Sequence, residues 1–396
     1  MNLSTISLAY LRARPLASAL NLLLLALGVA TITVLLLATT QLEERMGRDA
    51  RGIDLVAGAK GSPMQLVLSA VFHVDAPAGN IALEDALALS RHPAVKKAIP
   101  LALGDSFQGH RIVGTNHDYP AHYGAKFATG RLWSAPMEAV LGAEVAASAR
   151  LTVGATFTGA HGLAAGGDAH DDEPFKVVGV LASTGSVLDR LVLTSVESVW
   201  EIHEHGGKPD GKSMPRREIT ALLIQYATPL AAAMLPRQVN ASATLQSASP
   251  AYESARLFRM IGVGVDVLRA FGLVLVLAAG LSVFIALLNA LEDRRYDLAV
   301  MRMLGAGRSR LMGLMLLEGA ALSLAGGSVG IALGHLLTEL LGRALGQAKQ
   351  AAVTGWTWQP EEFWLLGLAL AVGLAAALLP AWRAYRTDVA PILAEG

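Results

Sequence analysis

The sequence predicts a membrane protein of four transmembrane α-helices, with a large α+β extracytoplasmic domain inserted between the first and second. Three observations predict it. Mean hydropathy is +0.46 with only 16% charged residues, outside the range of ordinary soluble chains. Four long runs lack charge or nearly lack it. Between the first two runs lies a long block of β-branched strands, polar turns and short helical patterns.

The first run, "LASALNLLLLALGVATITVLLLATT" (Leu16 to Thr40), carries no charge between Arg14 and Glu43 and exceeds the roughly 20 residues that cross a bilayer. Its length also exceeds the apolar core of about 7–15 residues in a signal peptide, so it is expected to remain as an anchor. The second span is expected over 270–291, between Arg269 and Glu292. The third covers 311–341 and carries Glu318 and His335. The fourth covers 363–382, between Glu362 and Arg383. Arginines concentrate between the second and third spans (Arg294, Arg295, Arg302, Arg308, Arg310) and beside both termini (Arg12, Arg14, Arg383, Arg386). Cationic side chains are retained on the cytoplasmic side, which places both termini inside and the block of 42–266 outside. The expected division is 1–41 for the amino-terminal segment and first span, 42–266 for the exposed domain with its stalk, and 267–396 for the carboxyl-terminal membrane domain.

Within the block, "RIVGT" (Arg111 to Thr115), "FKVVGVLAS" (Phe175 to Ser183), "RLVLTSV" (Arg190 to Val196) and "ITALLIQY" (Ile219 to Tyr226) read as strands, and Leu83 to Ser90 and Glu138 to Ala149 as helices. Leu257, Ile261, Val265 and Leu268 recur at helical spacing, which extends the second span outward as a stalk from about Tyr252. Gly262 and Gly264 weaken that helix and are candidates for a hinge.

Lys+Arg and Asp+Glu both number 32 and there is no cysteine. Balanced charge offers no basic field for nucleic acid, and the lack of thiols excludes disulfides and thiolate chemistry. The stretch "GGKPDGKS" (Gly206 to Ser213) has P-loop letters, but "WEIHEH" ahead of it is no buried strand, and Pro209 stiffens a loop whose amides must converge. It is read as a surface turn, and no catalytic residue is assigned. Neither a G-x-S-x-G elbow nor H-E-x-x-H is present. His203 and His205, with Asp171 or Asp172, are candidates for a metal site, although no compact ligand spacing accompanies them; no bound metal or cofactor is expected.

Arg294, Arg295, Tyr296, Asp297, Val300, Met301, Arg302, Met303, Leu304 and Gly305 lie in the arm of 292–310. Tyr296, Val300 and Met303 share one helical face. Such a helix suits a socket on a partner protein, or it rests on lipid headgroups through its arginines. Gly326, Gly330 and Gly334 form a small-residue row for close helix packing, within this chain or against another chain. Glu318 needs a polar neighbour, either on the arm or at Asn289, or a proton.

The stretch "LEDRRYDLAVMRMLGAGRSRLMGLMLLEG" (Leu291 to Gly319) resembles the signature of FtsX-like permeases through Glu292, Arg294, Arg295, Asp297, Leu298, Met301, Arg302, Leu304, Gly305, Ala306 and Glu318. Pro380, Arg383, Ala384 and Arg386 fit that family's closing motif, whereas Asp293 and Pro391 depart from its pattern. "VLGAEVAASARLTVGATFT" (Val140 to Thr158) and Phe175 to Trp200 resemble the MacB-like periplasmic core. Residues 50–135, including "DLVAGAKGSPMQLVLSAVFHVDAPAGN", match no motif. The resemblance implies a non-catalytic permease subunit of an ABC transporter in a bacterial inner membrane. Its arm would be gripped by a cytoplasmic ATPase dimer, and ATP and Mg²⁺ would be bound on that partner. With only a short segment ahead of the first span, the ATPase is expected on another polypeptide. A second permease copy or paralogue, a periplasmic adaptor or substrate protein, and membrane lipid complete the expected partners. Export or extraction of a lipoprotein, peptide or drug-like substrate is the implied role. Regulation of cell-wall hydrolases, as in FtsX itself, and a part in metal-linked transport are the alternatives.

Overall fold

The computed structural model describes residues 15–161, 174–206, 217–347 and 353–386. The P-loop-like letters after Gly206 and Pro391 lie outside these residues, as do Asp171 and Asp172 and the side chains of His203 and His205. Contacts divide the chain into a helical unit, Met1–Leu42 with Ile261–Gly396, and an α+β unit, Glu43–Met260. Helix α1 (Pro15–Asp49) begins the described chain and passes the expected end of the first span by nine residues, ending on the charged turn before Arg51.

The α+β unit runs β1 (Leu55–Ala59), α2 (Pro63–Ala70), β2 (Ile81–Ala82), α3 (Leu83–Ser90), β3 (Val95–Phe107), β4 (His110–Thr115), α4 (Asp118–His122), β5 (Phe127–Gly130), β6 (Glu138–Leu141), α5 (Ala143–Ala149), β7 (Thr156–Phe157), β8 (Ala160–His161), β9 (Phe175–Leu181), a 3-10 turn η1 (Val187–Arg190), β10 (Val192–Ser195), α6 (Val196–Gly206), β11 (Glu218–Ile219), β12 (Ala221–Tyr226), α7 (Ala231–Ala241) and β13 (Leu245–Ala248). The main sheet is ordered β13-β1-β12-β3-β4-β10-β6-β9-β5, with β7 on β9 and β8 on β3. Two neighbouring pairs, β4/β10 and β6/β9, are parallel, and helices enter the crossovers that parallel pairing demands. All six residues of β4 are buried, as the centre of a sheet covered on both faces requires.

Two hydrophobic cores form on this sheet. One gathers Leu55, Ala57, Leu222, Ile224 and Leu245 from β1, β12 and β13 with α7 residues Leu235 and Val239. The other gathers Ile112, Ala139, Leu141, Phe175, Val177 and Val192 from β4, β6, β9 and β10. The strands β3 and β4 join the halves, and their register slips between Leu103 and Ser106.

The helix expected over Glu138 to Ala149 is instead strand β6 followed by α5. Gly142 separates them, and a Cβ there would strike the carbonyl oxygens of Leu188 and Asp189. Ala139, Val140 and Leu141 are wholly buried between β10 and β9, so tertiary pairing overrides the helical propensity of this alanine-rich run.

A buried polar cluster holds the segment after α2. His73, at φ +53°, pairs through Nε2 with the Tyr119 hydroxyl at 2.9 Å, and its Nδ1 is buried without a hydrogen-bond partner. Burial, and then the nearby Arg111 and Arg190 charges, hold this imidazole well below its ordinary value. Burial likewise pulls Arg111 down to about 10. An unfolded chain takes up the His73 proton below pH about 6.5 while the native chain does not. The stability contributed by this site is therefore complete above that pH and falls as pH drops toward the depressed native value. Melting of the chain in detergent at pH 7.5 and 5.5 should show a loss at the lower pH that His73→Gln reduces; an equal loss in both proteins would refute the assignment.

The remaining helices are α8 (Pro250–Asp293), α9 (Arg295–Met303), α10 (Arg308–Gln347) and α11 (Glu362–Arg386). Among the described residues α1, α8, α10 and α11 are long and apolar enough to cross a membrane. The helix α8 begins two residues ahead of the Tyr252 expected for the stalk and continues unbroken through Gly262 and Gly264, where a Cβ would meet open space.

Small residues set the helix packing. Gly28 of α1 faces Gly272 and Val276 of α8. Gly319 and Gly373 bring α10 and α11 into backbone contact, and Gly280 of α8 receives Val372 of α11. The expected row of Gly326, Gly330 and Gly334 is occupied within the chain by Leu25, Val29 and Thr33 of α1. Dispersion between closely approaching backbones is the attraction available to helices surrounded by lipid.

Candidate functional site

The arm joining α8 to α10 is where the sequence places its coupling residues. The helix expected over 292–310 is the shorter α9, because α8 extends to Asp293 and Gly305 closes α9 at its other end. Gly305 has φ +95°; its N–H reaches Arg302 O at 3.0 Å, and the Ala306 N–H reaches Met301 O at 3.0 Å. This pair of bonds is a Schellman closure, which places glycine at the left-handed position. Gly305→Ala should cost about 1–2 kcal/mol through backbone strain. Gly307→Ala, where the nearest atom lies 3.8 Å away, should be close to neutral. Thermal unfolding of the two variants checks this contrast, and equal midpoints would remove it.

The inner face of α9 is packed. Leu298, with 1% exposure, joins Leu291 of α8, Leu311, Leu314 and Met315 of α10, and Ala381 and Ala384 of α11. Met301 is half-buried against the same cluster. The opposite side is uncovered: Tyr296, Met303 and Leu304 are 57%, 59% and 84% exposed, and Val300 lies at the edge between the two sides. Asp297 stands in the first turn and Arg302 in the last, each favourably placed on the helix dipole. Arg295 reaches Glu292 at 4.0 Å on the exposed surface, a pair of small energetic weight.

Arg294, grouped with the arm's coupling residues, does not lie on its surface. It is buried, and its Nη1 donates to Glu318 Oε1 at 2.9 Å. Arg294 occupies the break between α8 and α9, where no regular helix fixes its side chain direction, and Glu318 rises from α10 within the bundle. The carboxylate thus finds its polar neighbour on the arm, which ties the arm's root to the third span.

At the opposite end of α10, residues 353–361 ahead of α11 fold back over the bundle. Glu339 accepts from Arg343 Nε at 2.9 Å, Thr354 Oγ1 at 3.0 Å and the Gly355 N–H at 3.1 Å. His335 bonds Gly355 O and Glu362 Oε2 through its two ring nitrogens, the latter at 2.9 Å. Gln41 of α1 exchanges two bonds with the Thr354 backbone, 2.8 and 2.9 Å. Trp356 and Trp358 stand exposed beside a groove of about 420 Å³. Sequence reading missed this cap, and the signal available was His335 and Glu339 one turn apart on a single helical face.

No group of three or more metal-ligating side chains occurs among the described residues, and the arm presents an apolar patch flanked by charges rather than a reactive centre. Such a surface suits contact with another protein.

The FtsX-like permease C-terminal family model matches residues 269–389. The MacB-like periplasmic core domain model matches residues 18–264. The macrolide export ATP-binding/permease protein MacB of Rhodopirellula baltica is 24% identical over 199 residues, covering 49% of this chain and 26% of that protein. The pyoverdine export ATP-binding/permease protein PvdT of Pseudomonas aeruginosa is 24% identical over 418 residues, covering 96% of this chain and 56% of that protein. The chain therefore spans about a quarter of the one relative's length and just over half of the other's. The periplasmic region of MacB from Actinobacillus actinomycetemcomitans aligns with a TM-score of 0.35 at 14% identity, covering 53% of this chain and 95% of that structure.

Proposed function

This chain belongs to the FtsX-like permeases of MacB type, a family of multi-pass ABC-transporter permeases, and on that premise we propose that it converts ATP hydrolysis by an ATPase subunit into movement of its α+β unit. The uncovered face of α9 carries the reading. Tyr296, Met303 and Leu304 are held outward by an inner face packed on three long helices, so a push on this handle is delivered to the bundle rather than absorbed by a loose loop. The arginines around the arm favour a cytoplasmic location, with both termini on the same side and the α+β unit in the periplasm. The ATPase acts as a dimer with ATP and Mg²⁺ bound to it, and a second permease copy or paralogue completes the core. Export or extraction of a lipoprotein, peptide or drug-like compound fits relatives named for macrolide and pyoverdine export. A periplasmic adaptor or substrate protein would meet the α+β unit.

Co-purification in mild detergent followed by native mass spectrometry tests this directly. Wild-type chain should retain an ATPase, and Tyr296→Ala combined with Leu304→Asp should weaken its capture about tenfold, the loss expected when interface anchors are truncated. Capture undiminished by these exposed substitutions would overturn the role of the arm. Nucleotide turnover by the chain alone would overturn the division of labour.

A further inference from the structure

Two helices have residues in both units: α1 from Glu43 onward and α8 up to Met260 contribute to the α+β unit. Their attachments there differ. Helix α8 follows β13 with Ser249 alone between them, and β13 pairs with β1 at the edge of the sheet, in the half built around Leu55, Leu222 and Leu245. Helix α1 passes into β1 through residues 50–54, but its last residue is also gripped from the other half.

Asp49 is 1% exposed at the carboxyl end of α1, where the helix dipole disfavours a carboxylate. Its Oδ1 accepts the Val187 N–H at 2.7 Å, and its Oδ2 pairs with Arg190 Nη2 at 3.2 Å. Its carbonyl accepts from the Tyr123 hydroxyl at 2.6 Å, and Arg51 O receives His122 Nε2 at 2.8 Å. Val187 and Arg190 belong to η1, which runs directly into β10. Arg190 O bonds His110 of β4 at 3.2 Å, and the Gly142 N–H at the end of β6 donates to Leu191 O at 2.9 Å. A load on Asp49 therefore reaches β4, β6 and β10, the strands of the second core.

We propose that Asp49 and Arg190 are positioning residues that make the β4/β6/β9/β10 half of the α+β unit follow α1, while the β1/β12/β13 half follows α8. Displacement of α8 against α1 then turns one half against the other about the β3–β4 seam, where the register slips between Leu103 and Ser106. Without the clasp, α1 would be left with its run into β1 and with the weaker ties from Tyr123, His122 and Gly185 to Asp49 O, Arg51 O and Arg48, and both halves would follow the same edge more closely. This inference rests on the proposed ATP-driven movement of the helices and adds the joint that makes the movement differential.

The chain has no cysteine, so paired spin labels can be introduced without background. Glu43→Cys with Arg259→Cys reports α1 against α8, and Ala147→Cys with Thr228→Cys reports one half against the other; all four positions are exposed. Distances are measured in the complex with its co-purified ATPase, without nucleotide and after trapping with Mg²⁺, ATP and vanadate. Both pairs should shift in the otherwise native chain. With Asp49→Asn the helix pair should still shift and the half-to-half shift should shrink. Tyr123→Phe, which removes the bond to the Asp49 carbonyl together with the Tyr123–Tyr119 hydroxyl contact, should diminish it, and this variant decides the matter if Asp49→Asn does not fold. A half-to-half shift that persists unchanged in these variants while the helices move would overturn the clasp alone. A helix pair that stays still in the native chain would overturn the ATP-driven reading together with it.

Discussion

Glu318→Ala is expected to destabilise the helical unit by about 3–5 kcal/mol, the cost of breaking a buried ion pair from one side. The substitution takes from the buried Arg294 guanidinium the carboxylate 2.9 Å away and leaves a cavity between α10 and the root of the arm. Glu318→Gln keeps an acceptor and should lose less. The double replacement Arg294→Met with Glu318→Leu should recover much of the loss, since it removes both charges and refills the volume. Unfolding of detergent-solubilised protein by heat measures all three. A double variant as unstable as Glu318→Ala would show that the ion pair is not what the site contributes.

Gly330→Val should destabilise the same unit by about 3 kcal/mol, the upper part of the usual overpacking range. A Cβ at this position would lie 2.7 Å from Val29 Cβ and 2.8 Å from Ala26 O. The second obstacle is backbone, which cannot rotate away, so α1 and α10 must separate along their length. Gly313→Ala on the same helix meets nothing within 4 Å and should leave stability unchanged or raise it by up to about 1 kcal/mol. The comparison uses the same thermal assay, and a Gly330→Val protein as stable as Gly313→Ala would show that this row is not a close contact.

The long helices were legible because charge is excluded from lipid: Arg14, Glu43, Arg269, Glu292, Glu362 and Arg383 bracket three of the four spans. Strands β4, β9 and β12 were legible from their apolar β-branched runs, and α3 coincides with the expected Leu83 to Ser90. Glu138 to Ala149 was misread because the carbonyls that forbid a Cβ at Gly142 belong to Leu188 and Asp189, more than forty residues downstream. The arm's composition was visible, but its orientation was not. A helical wheel groups Tyr296 with Met303 without saying that Leu298 and Met301 are the residues covered, or that Arg294 turns inward. Asp49 and Arg190 meet across 141 positions, and periodicity carries no information at that separation.

The cap at the far end of α10 has one more bearing on motion. Gln41, His335, Glu339, Thr354 and Glu362 staple α1, α10 and α11 to one another, and α8 supplies no residue to these bonds. Sliding among the three stapled helices would break several buried polar contacts at once. Their relation to α8 rests instead on apolar contacts, Val276 and Ala279 against Leu25 and Ala369 and Val283 and Leu287 against Leu322 and Ala377, on close approaches at Gly28, Gly272 and Gly280, and on the side-chain bond from Ser282 to Asn21 of α1. If the proposed ATP-driven movement holds, α8 is the helix expected to move against three that are tied together.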